Sequence, residues 1–394
     1  MHPRLNSNTP TVQPLPRARR RFVFLTLLLF FVFAVPVFVF YATGYRYDFA
    51  GDGAITTTGG LYITVGSETG DVYLNEEPVR DMRVFRNAIY IQNIIPGMQR
   101  VHVQAEGLHT WVKDLPVYPY IVTEAESFSL PVVPQVRPIA RFQTATGTLV
   151  FPGVASGTKL FAGVSTSIPF IIATSSATSS YTRNPEYDFV VGLFATSTAT
   201  STLLTRVVDG VTTALTRNQS NPATTSASTT ESEEMATTTK TADDLVLSEV
   251  DGDIYVTYVG AKNSTPYYFC VPKAPLASTS AMYGTHVMLG VASAIASAQS
   301  PTIDTVTERT CRTSIKIDRQ WQTVLDFDFF PSTTDLIVLH RADGISVVEV
   351  DDRAWQNTQM LYTKPVDELV INNGRLYAKD GDIIFELLTA LPIE

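Results

Sequence analysis

Two pairs of carboxylates have the spacing at which both members point to the same face of a β-strand. They are Glu124 with Glu126, and Asp326 with Asp328. Paired carboxylates cleave glycosidic bonds when they flank the scissile bond, which usually requires two different elements that face each other across a cleft. Pairs within one strand do not meet that condition. We therefore expect both pairs to lie on solvated outer faces of strands.

Two histidines, His102 and His109, lie seven residues apart. A metal ion would need a third ligand, for which Glu106 is the nearest carboxylate. We expect two surface histidines on a polar face instead. The aspartate-rich turns at 251–253 and 380–382 lack the twelve-residue calcium-loop pattern, so we expect ordinary hairpin turns there. The sequence predicts no metal and no cofactor.

The short signatures of common enzymes are absent. The chain has no Gly-x-Ser-x-Gly elbow, no Gly-x-x-x-x-Gly-Lys loop, no Gly-x-Gly-x-x-Gly turn and no His-Glu-x-x-His helix. We therefore expect a binding protein with no catalytic residue. Several aromatic side chains could offer a stacking surface for sugars, although such rings more often pack in a core or at its rim. They are Trp111, Tyr118, Tyr120, Trp321 and Trp355.

The element that positions everything else is a run of twenty uncharged residues, Phe22 to Tyr41, directly after a cluster of arginines. A helix of this length spans the roughly 30 Å hydrocarbon core of a bilayer. A cleaved secretory signal is the alternative, but its apolar region is usually shorter and ends in small residues, whereas this run ends in aromatic ones. The sequence predicts a transmembrane helix at 22–41 and a disordered cytoplasmic tail at 1–21. The arginines stay inside, so the rest of the chain lies outside.

Charge is distributed unevenly along the chain, whose formal net charge is −9. Five of the 29 basic residues precede position 22, and all 38 acidic residues follow position 47. The exported part therefore carries a net charge of −14. Because phosphate binding needs clustered lysine and arginine, we expect no nucleic-acid partner.

The chain has two cysteines, Cys270 and Cys311. Both follow the apolar run, on the side where oxidising conditions would let a disulfide persist. A bond between them would close a loop of about 41 residues and stabilise the fold by about 4 kcal/mol. We expect them to pair, with two separate buried thiols as the alternative. Neither has a second cysteine or a histidine at zinc-ligand spacing.

Residues 42–135 alternate apolar and polar side chains in short runs, which predicts a small β-sandwich. Four segments in order also resemble the PEGA domain, a β-sandwich of bacterial and archaeal surface proteins. They are Gly60–Val65, Val72–Asn75, Ile94–Gly97 and Val101–Gly107, with Trp111 and Lys113 close behind. The resemblance implies a sandwich fold and a role in the cell envelope.

Residues 139–394 are again strand-like and carry hairpin signals such as Asp251-Gly252 and Asp380-Gly381, the second favouring a type I′ turn. A tract rich in serine and threonine at about 212–244 predicts a disordered insertion. The segment 277–300 fits a helix or a loop equally well. This C-terminal part is similar to the β-propellers that follow PEGA units in membrane-anchored proteins, and an incomplete propeller or a second sandwich remains an alternative.

Together these features predict an all-β protein behind a single transmembrane helix. We expect it to sit in the cell membrane with its N-terminus cytoplasmic and most of the chain outside. Its expected work is that of a non-catalytic binding or scaffold protein of the envelope. The expected partners are the membrane and an envelope glycan or protein. The alternative is a sensor that passes an external signal to a cytoplasmic or membrane partner.

Overall fold

The fold is mostly β with one N-terminal apolar helix, which confirms the fold class predicted from the sequence. The structure is a computed structural model. It describes residues 16–42, 45–47, 55–65, 70–79, 83–85, 88–196, 239–272, 309–331 and 333–389. None of the sheets within these ranges closes into a barrel. The segment 277–300 and most of the predicted insertion lie outside them.

Helix α1 spans Arg17–Ala42 and begins five residues before the predicted start. Arginine is a good helix former, and no glycine or β-branched residue interrupts the arginine cluster, so the helix continues back to Pro16. The expectation of a disordered tail is therefore wrong for residues 17–21, while 1–15 lie outside the described residues. No side chain of α1 is buried by the rest of the fold, and its mean hydropathy reaches 2.9, so it is long and apolar enough to cross a membrane. Pro36 lies inside the helix without ending it.

A short hairpin and a two-sheet sandwich follow the helix. The hairpin consists of β1 (Tyr45–Tyr47) and β2 (Ile55–Thr57). The sandwich strands are β3 (Gly59–Val65), β4 (Asp71–Leu74), β5 (Glu77–Pro78), β6 (Arg83–Phe85), β7 (Ala88–Ile94), β8 (Gly97–Gln104), β9 (Trp111–Val117) and β10 (Val122–Ser127). One sheet has the order β10-β3-β7-β6 and the other β5-β4-β8-β9. Alternate apolar side chains of both sheets fill the space between them.

The next strand, β11 (Gln135–Ile139), crosses the boundary that the sequence predicts between 42–135 and 139–394. It pairs antiparallel with β29 (Ile383–Leu388), the last strand in the described part of the chain. Residues 136–138 are therefore part of a sheet that both ends of the C-terminal region build together.

Most remaining strands form three sheets that stack on one another, all antiparallel except for one edge pairing. Sheet I contains β17 (Thr239–Ala242), β18 (Leu245–Val250), β19 (Asp253–Tyr258) and β22 (Ser314–Lys316). Sheet II contains β23 (Val324–Phe329), β24 (Leu336–Arg341), β25 (Gly344–Glu349) and β26 (Thr358–Tyr362). Sheet III contains β27 (Glu368–Asn372), β28 (Arg375–Asp380), β29 and β11, with β14 (Ser165–Thr166) paired parallel to β11 at its edge.

Sheet II is the middle layer, because β24 and β25 are buried on both faces. Ile337 and Leu339 pack towards sheet I, while Leu336 and Val338 pack towards sheet III. The outer face of sheet III is covered by a helix at 185–196. Strands buried on both faces read as continuous apolar runs, which explains the sequence of β24.

The smaller elements close the gaps between these layers. They are β12 (Phe142–Gln143), β13 (Leu149–Pro152), β15 (Phe170–Ala173), β16 (Thr182–Arg183), the 3₁₀ turns Lys262–Ser264 and Tyr267–Phe269, β20 (Cys270–Pro272) and β21 (Arg309–Cys311). Three phenylalanines of the β12–β16 region pack together, and Phe161 contacts Phe385 of sheet III edge-on.

Two local predictions need correction. The expected disorder is wrong for residues 239–244, because β17 gains backbone pairing with β18 and Lys240 forms an ion pair with Asp328 at 3.2 Å. The predicted type I′ turn at Asp380-Gly381 is also wrong. The pairing of Asp380 with Ile383 makes Gly381 the first central residue, and a positive φ there alone gives a type II′ turn.

Candidate functional site

The densest group of buried charges lies where the sandwich meets sheet II. Strands β9 and β10 are edge strands of the two sandwich sheets, and the Thr123 hydroxyl of β10 donates to the Pro116 carbonyl of β9 at 2.7 Å. The segment that follows β25 covers this seam. We call the group of side chains that meet here, from β9, β10 and residues 349–353, the junction.

Lys113 is the centre of the junction. It occupies an inward position of β9 between Trp111 and Leu115, and its side chain is completely buried. Its ammonium group donates to the Glu349 carboxylate at 2.6 Å and to the Asp351 carbonyl at 2.6 Å. A buried ammonium needs such partners, because an isolated charge in the interior is very unfavourable.

Glu349 collects donors from both parts of the protein. Trp111 donates its indole N–H to Glu349 Oε2 at 3.0 Å, and Asn357 donates its backbone and side-chain N–H groups to Oε1 at 2.8 and 2.9 Å. Burial raises the pKa of Glu349, and Lys113 opposes that rise. The carboxylate is therefore an interior acceptor that orients its neighbours.

Asp351 and Arg353 form the second ion pair of the junction. The guanidinium binds the carboxylate with two N–H groups at 3.0 and 2.7 Å, and a further bond reaches the Glu124 carbonyl of β10 at 2.5 Å. Burial alone would raise the pKa of Asp351, but Arg353 and Lys113 outweigh it and hold this pKa well below its usual range. Two-point binding of this kind fixes direction as well as distance.

A small cavity adjoins these charges. Its volume is about 30 Å³, which is room for one or two water molecules. Its walls come from β10, a 3₁₀ turn and sheet II, namely Glu126, Ser127, Phe128, Tyr267, Tyr268, Asp335, Leu336, Glu349 and Asp351. A hydrogen bond to Asp335, followed by burial, raises the pKa of Glu126 to about 8. The neighbouring carboxyl group and the partial burial both disfavour the charged form of Glu126.

The disulfide reinforces the same place. Cys270 and Cys311 are bonded in the structure, and they pair β20 with β21 directly after the 3₁₀ turn Tyr267–Phe269. The next residue, Arg312, donates its amide to the Phe269 carbonyl at 3.0 Å and forms an ion pair with Asp352. The covalent link therefore holds the aromatic turn against the junction.

The sequence-predicted carboxylate pairs do not come together. Glu124 and Glu126 are both exposed residues of β10, although the Glu126 carboxyl faces Asp335 across the cavity. Asp326 and Asp328 are only half-buried, while Phe327 and Phe329 between them are buried in the core. Burial raises the pKa of Asp326.

The three histidines in the described part of the chain lie apart from the junction. His102 stacks on Tyr73 at 4.5 Å between ring centres, and burial lowers the pKa of His109. His340 is buried, with its Nε2 atom 2.9 Å from the Val366 carbonyl. Among the described residues, no group of three or more His, Cys, Asp or Glu side chains is arranged to hold a metal ion.

The aromatic residues proposed for sugar stacking are dispersed. Trp111 and Tyr118 are buried, and Tyr120 lies at the opposite end of the sandwich from Trp111. Trp321 differs from all of them, because it is fully exposed on the connection between sheets I and II. Trp355 is 42% exposed beside the junction.

Trp321 also has an unusual backbone. It and Gln320 both have positive φ values, 62° and 52°, which bulky residues rarely adopt. The turn is held by an ion pair between Arg319 and Asp253 at 3.2 Å, and within the turn the Gln320 amide donates to Asp318 at 2.8 Å. A strained position that presents a large apolar ring to solvent is a candidate contact residue.

Sequence reasoning missed the partners of Lys113. It noted Trp111 and Lys113 only as part of a resemblance, and it singled out neither Glu349, Asp351 nor Arg353. Two signals pointed to them. Lys113 occupies an inward position of an alternating strand, which demands a buried acceptor, and a dense charged run directly follows the apolar strand β25.

No protein-family model matches this chain, and no curated protein sequence is significantly similar to it.

Proposed function

We propose that this chain is a single-pass membrane protein that holds an envelope partner outside the cell without catalysing a reaction. The partner would be a surface-layer glycoprotein, a wall polymer or another exported protein. The proposal includes the PEGA-like identity of the sandwich and the propeller-like nature of the stacked sheets. It also includes an orientation in which the arginines remain cytoplasmic.

The observation that carries the proposal is a helix of 26 residues whose long apolar run has no buried side chain. A soluble protein would bury such a surface. After the helix comes a β-structure in which the junction connects the sandwich to sheet II. Its disulfide is typical of proteins in an oxidising compartment. The sequence beyond the helix is acidic, which disfavours a nucleic-acid partner.

The orientation is tested with single cysteines in the full chain, since both native cysteines are already bonded to each other. Ser7→Cys places a thiol before α1, and Ser179→Cys places one on an exposed residue of the β-structure. A membrane-impermeant maleimide added to intact cells should label only the second variant. Labelling of the first alone would overturn the orientation.

The binding role is tested at Trp321. A photo-crosslinking amino acid at position 321 should trap one envelope component in intact cells. Trp321→Ala should lower retention of that component by roughly tenfold or more, as expected for a hot-spot tryptophan. Trp355→Ala is the matched control and should retain it. Equal retention by the two variants would remove Trp321 from the binding surface.

A second candidate function, that of a sensor, is favoured by one observation. The end of α1 is in contact with the β-structure, because Phe40 packs on Tyr45 at 5.2 Å and Arg46 donates to the Tyr41 carbonyl at 2.6 Å. Movement of the sandwich would thus reach the helix. A pull-down with a chain lacking residues 2–15 separates the two functions. Loss of every specific partner favours the sensor, and retention favours the external scaffold.

A further inference from the structure

We propose that the end of the sandwich at which α1 enters rests on the outer surface of the lipid bilayer as a second membrane contact. This surface, which we call the lipid-facing end, is formed by exposed apolar and aromatic residues of the two turns 94–97 and 117–122. They are Ile95, Tyr120, Ile121 and Val122. The inference rests on the proposed function in one respect, that α1 spans the membrane.

Strand pairing places these connections at one end. Gly59, the first residue of β3, pairs with Ile94 at the end of β7, and Gly97 at the start of β8 pairs with Val117 at the end of β9. Val122 begins β10, opposite Gly60. The turns 94–97 and 117–122 therefore lie side by side where the chain arrives from the helix.

Contacts tie this end to the helix terminus. Tyr45 stands three residues beyond Ala42 and packs on Tyr120 at 5.3 Å. Arg46 donates to the Asn93 side chain at 3.0 Å, and its guanidinium lies 3.7 Å from the centre of the Tyr41 ring. The lipid-facing end is thus held at the level where the helix leaves the hydrocarbon core.

The chemistry of the two turns suits a headgroup layer. Ile95 is 71% exposed, Tyr120 52% and Ile121 42%, so a large part of each of these side chains faces solvent. Residues 92–99 and 117–122 contain no Asp, Glu, Lys or Arg, in a chain whose charged fraction is 17%. Tyrosines with an apolar body and a polar tip are enriched at the membrane–water boundary.

The nearest acidic turn among the described residues is compatible with this placement. Glu76 and Glu77 follow Asn75, which donates hydrogen bonds to Gln99 and to the Arg100 carbonyl of β8. That level is two to three residues along β8 from Gly97, about 7 to 10 Å further from the bilayer by strand geometry. Glu76 there interacts with Arg100, which remains in water.

The experiment measures the depth of single labelled cysteines in the full-length protein in lipid nanodiscs. Ile95→Cys and Ile121→Cys carry a fluorophore at the lipid-facing end, and Glu106→Cys carries it at the far end of the sandwich. Leu28→Cys, measured with lipids that carry the nitroxide on the acyl chain, reports whether α1 itself lies in the bilayer. Lipids with a nitroxide near the headgroup should quench positions 95 and 121 severalfold more than position 106.

A charge variant sharpens the result. Ile121→Asp should reduce the quenching at position 95, because a carboxylate would be driven out of the headgroup layer. Val133→Asp, at an exposed apolar residue near the far end, is the matched control and should leave quenching unchanged. Equal quenching at 95 and 106 with strong quenching at 28 would overturn the lipid contact and leave the anchor intact. Absence of quenching at 28 would overturn the anchor as well.

Discussion

The lipid-facing end of the sandwich and the junction differ in their content of charged residues. At the lipid-facing end, two neighbouring turns carry no charged residue and leave isoleucines exposed. Towards sheet II, Lys113, Glu349, Asp351 and Arg353 meet in the interior with their charges compensated. The exposed isoleucines of the lipid-facing end contribute little to the stability of the fold, and they are available for contact with a lipid bilayer. The stability of the junction depends on each of its charged residues, because every buried charge there is compensated by its partners.

The largest expected effect on stability comes from removing a charge from the junction. Lys113→Met should lower the free energy of unfolding by about 3 to 5 kcal/mol, because it leaves the buried Glu349 unpaired. Urea or thermal unfolding of the purified protein measures this. Lys159→Met, on an exposed lysine, is the control and should change little. The double variant with Glu349→Gln should recover part of the loss, and no recovery would contradict an electrostatic origin.

The next largest effect on stability is expected from removing the disulfide that supports the junction. Cys270→Ser with Cys311→Ser should cost about 4 kcal/mol, since the loop of 41 residues regains its freedom in the unfolded chain. Hydrogen exchange should then rise first in Tyr267–Phe269 and in residues 349–353. An increase confined to sheet III would show that the disulfide does not support the junction.

A smaller effect follows from the raised pKa of Glu126 beside Asp335. The pKa of Glu126 is raised from 4.5 to about 8, so between these values the folded protein holds a proton that the unfolded chain has released. Stability should therefore fall as pH rises from 4.5 to 8, by about 1 kcal/mol after discounting for solvent at this exposed residue. The depressed pKa of Asp351 acts in the opposite direction, and its contribution is lost only at lower pH.

Thermal unfolding at pH 5 and pH 8 measures the contribution of Glu126. Glu126→Gln should flatten the dependence on pH, because its neutral amide cannot titrate. Glu124→Gln, two residues away on the same strand face, should preserve it. A pH dependence that is identical in both variants would place its origin elsewhere.

The smallest effect is expected at the lipid-facing end. Ile95→Gln should change the free energy of unfolding in detergent by less than about 0.5 kcal/mol, because the side chain is 71% exposed and fills no interior space. Ile91→Gln, on a residue only 6% exposed in the preceding strand β7, should be strongly destabilising. Equal effects of the two changes would remove the contrast between the ends.

The elements that follow local rules could be predicted from the sequence. The apolar run gave the helix, alternation gave the sandwich strands, and the Asp251-Gly252 pair gave a hairpin with positive φ at both residues. The predicted start of α1 was five residues too late. The arginine cluster was assigned to a disordered tail, whereas the helix propensity of arginine extends the helix back to Arg17. Disorder at 239–244 was misjudged because the partner of Lys240 lies 88 residues away.

The junction could be predicted only in part. The inward lysine at position 113 was visible, but its carboxylate at position 349 lies 236 residues further along the chain. Pairings of that range depend on how sheet II packs against the sandwich, and no local pattern encodes it. The same reason hid the contact of Gln359 with the backbone of Phe128 and Leu130, at 3.0 and 2.8 Å.

The pairing of β11 with β29 sets the order of events during synthesis. Arg137 and Glu386, which face each other across these strands, are 249 residues apart. At a translation rate of about 5 to 20 residues per second, β29 is synthesised roughly 12 to 50 s after β11. In that interval Val136 and Ile139 remain uncovered, so a nascent chain needs shelter from a chaperone or from its own sandwich until translation reaches the final strand.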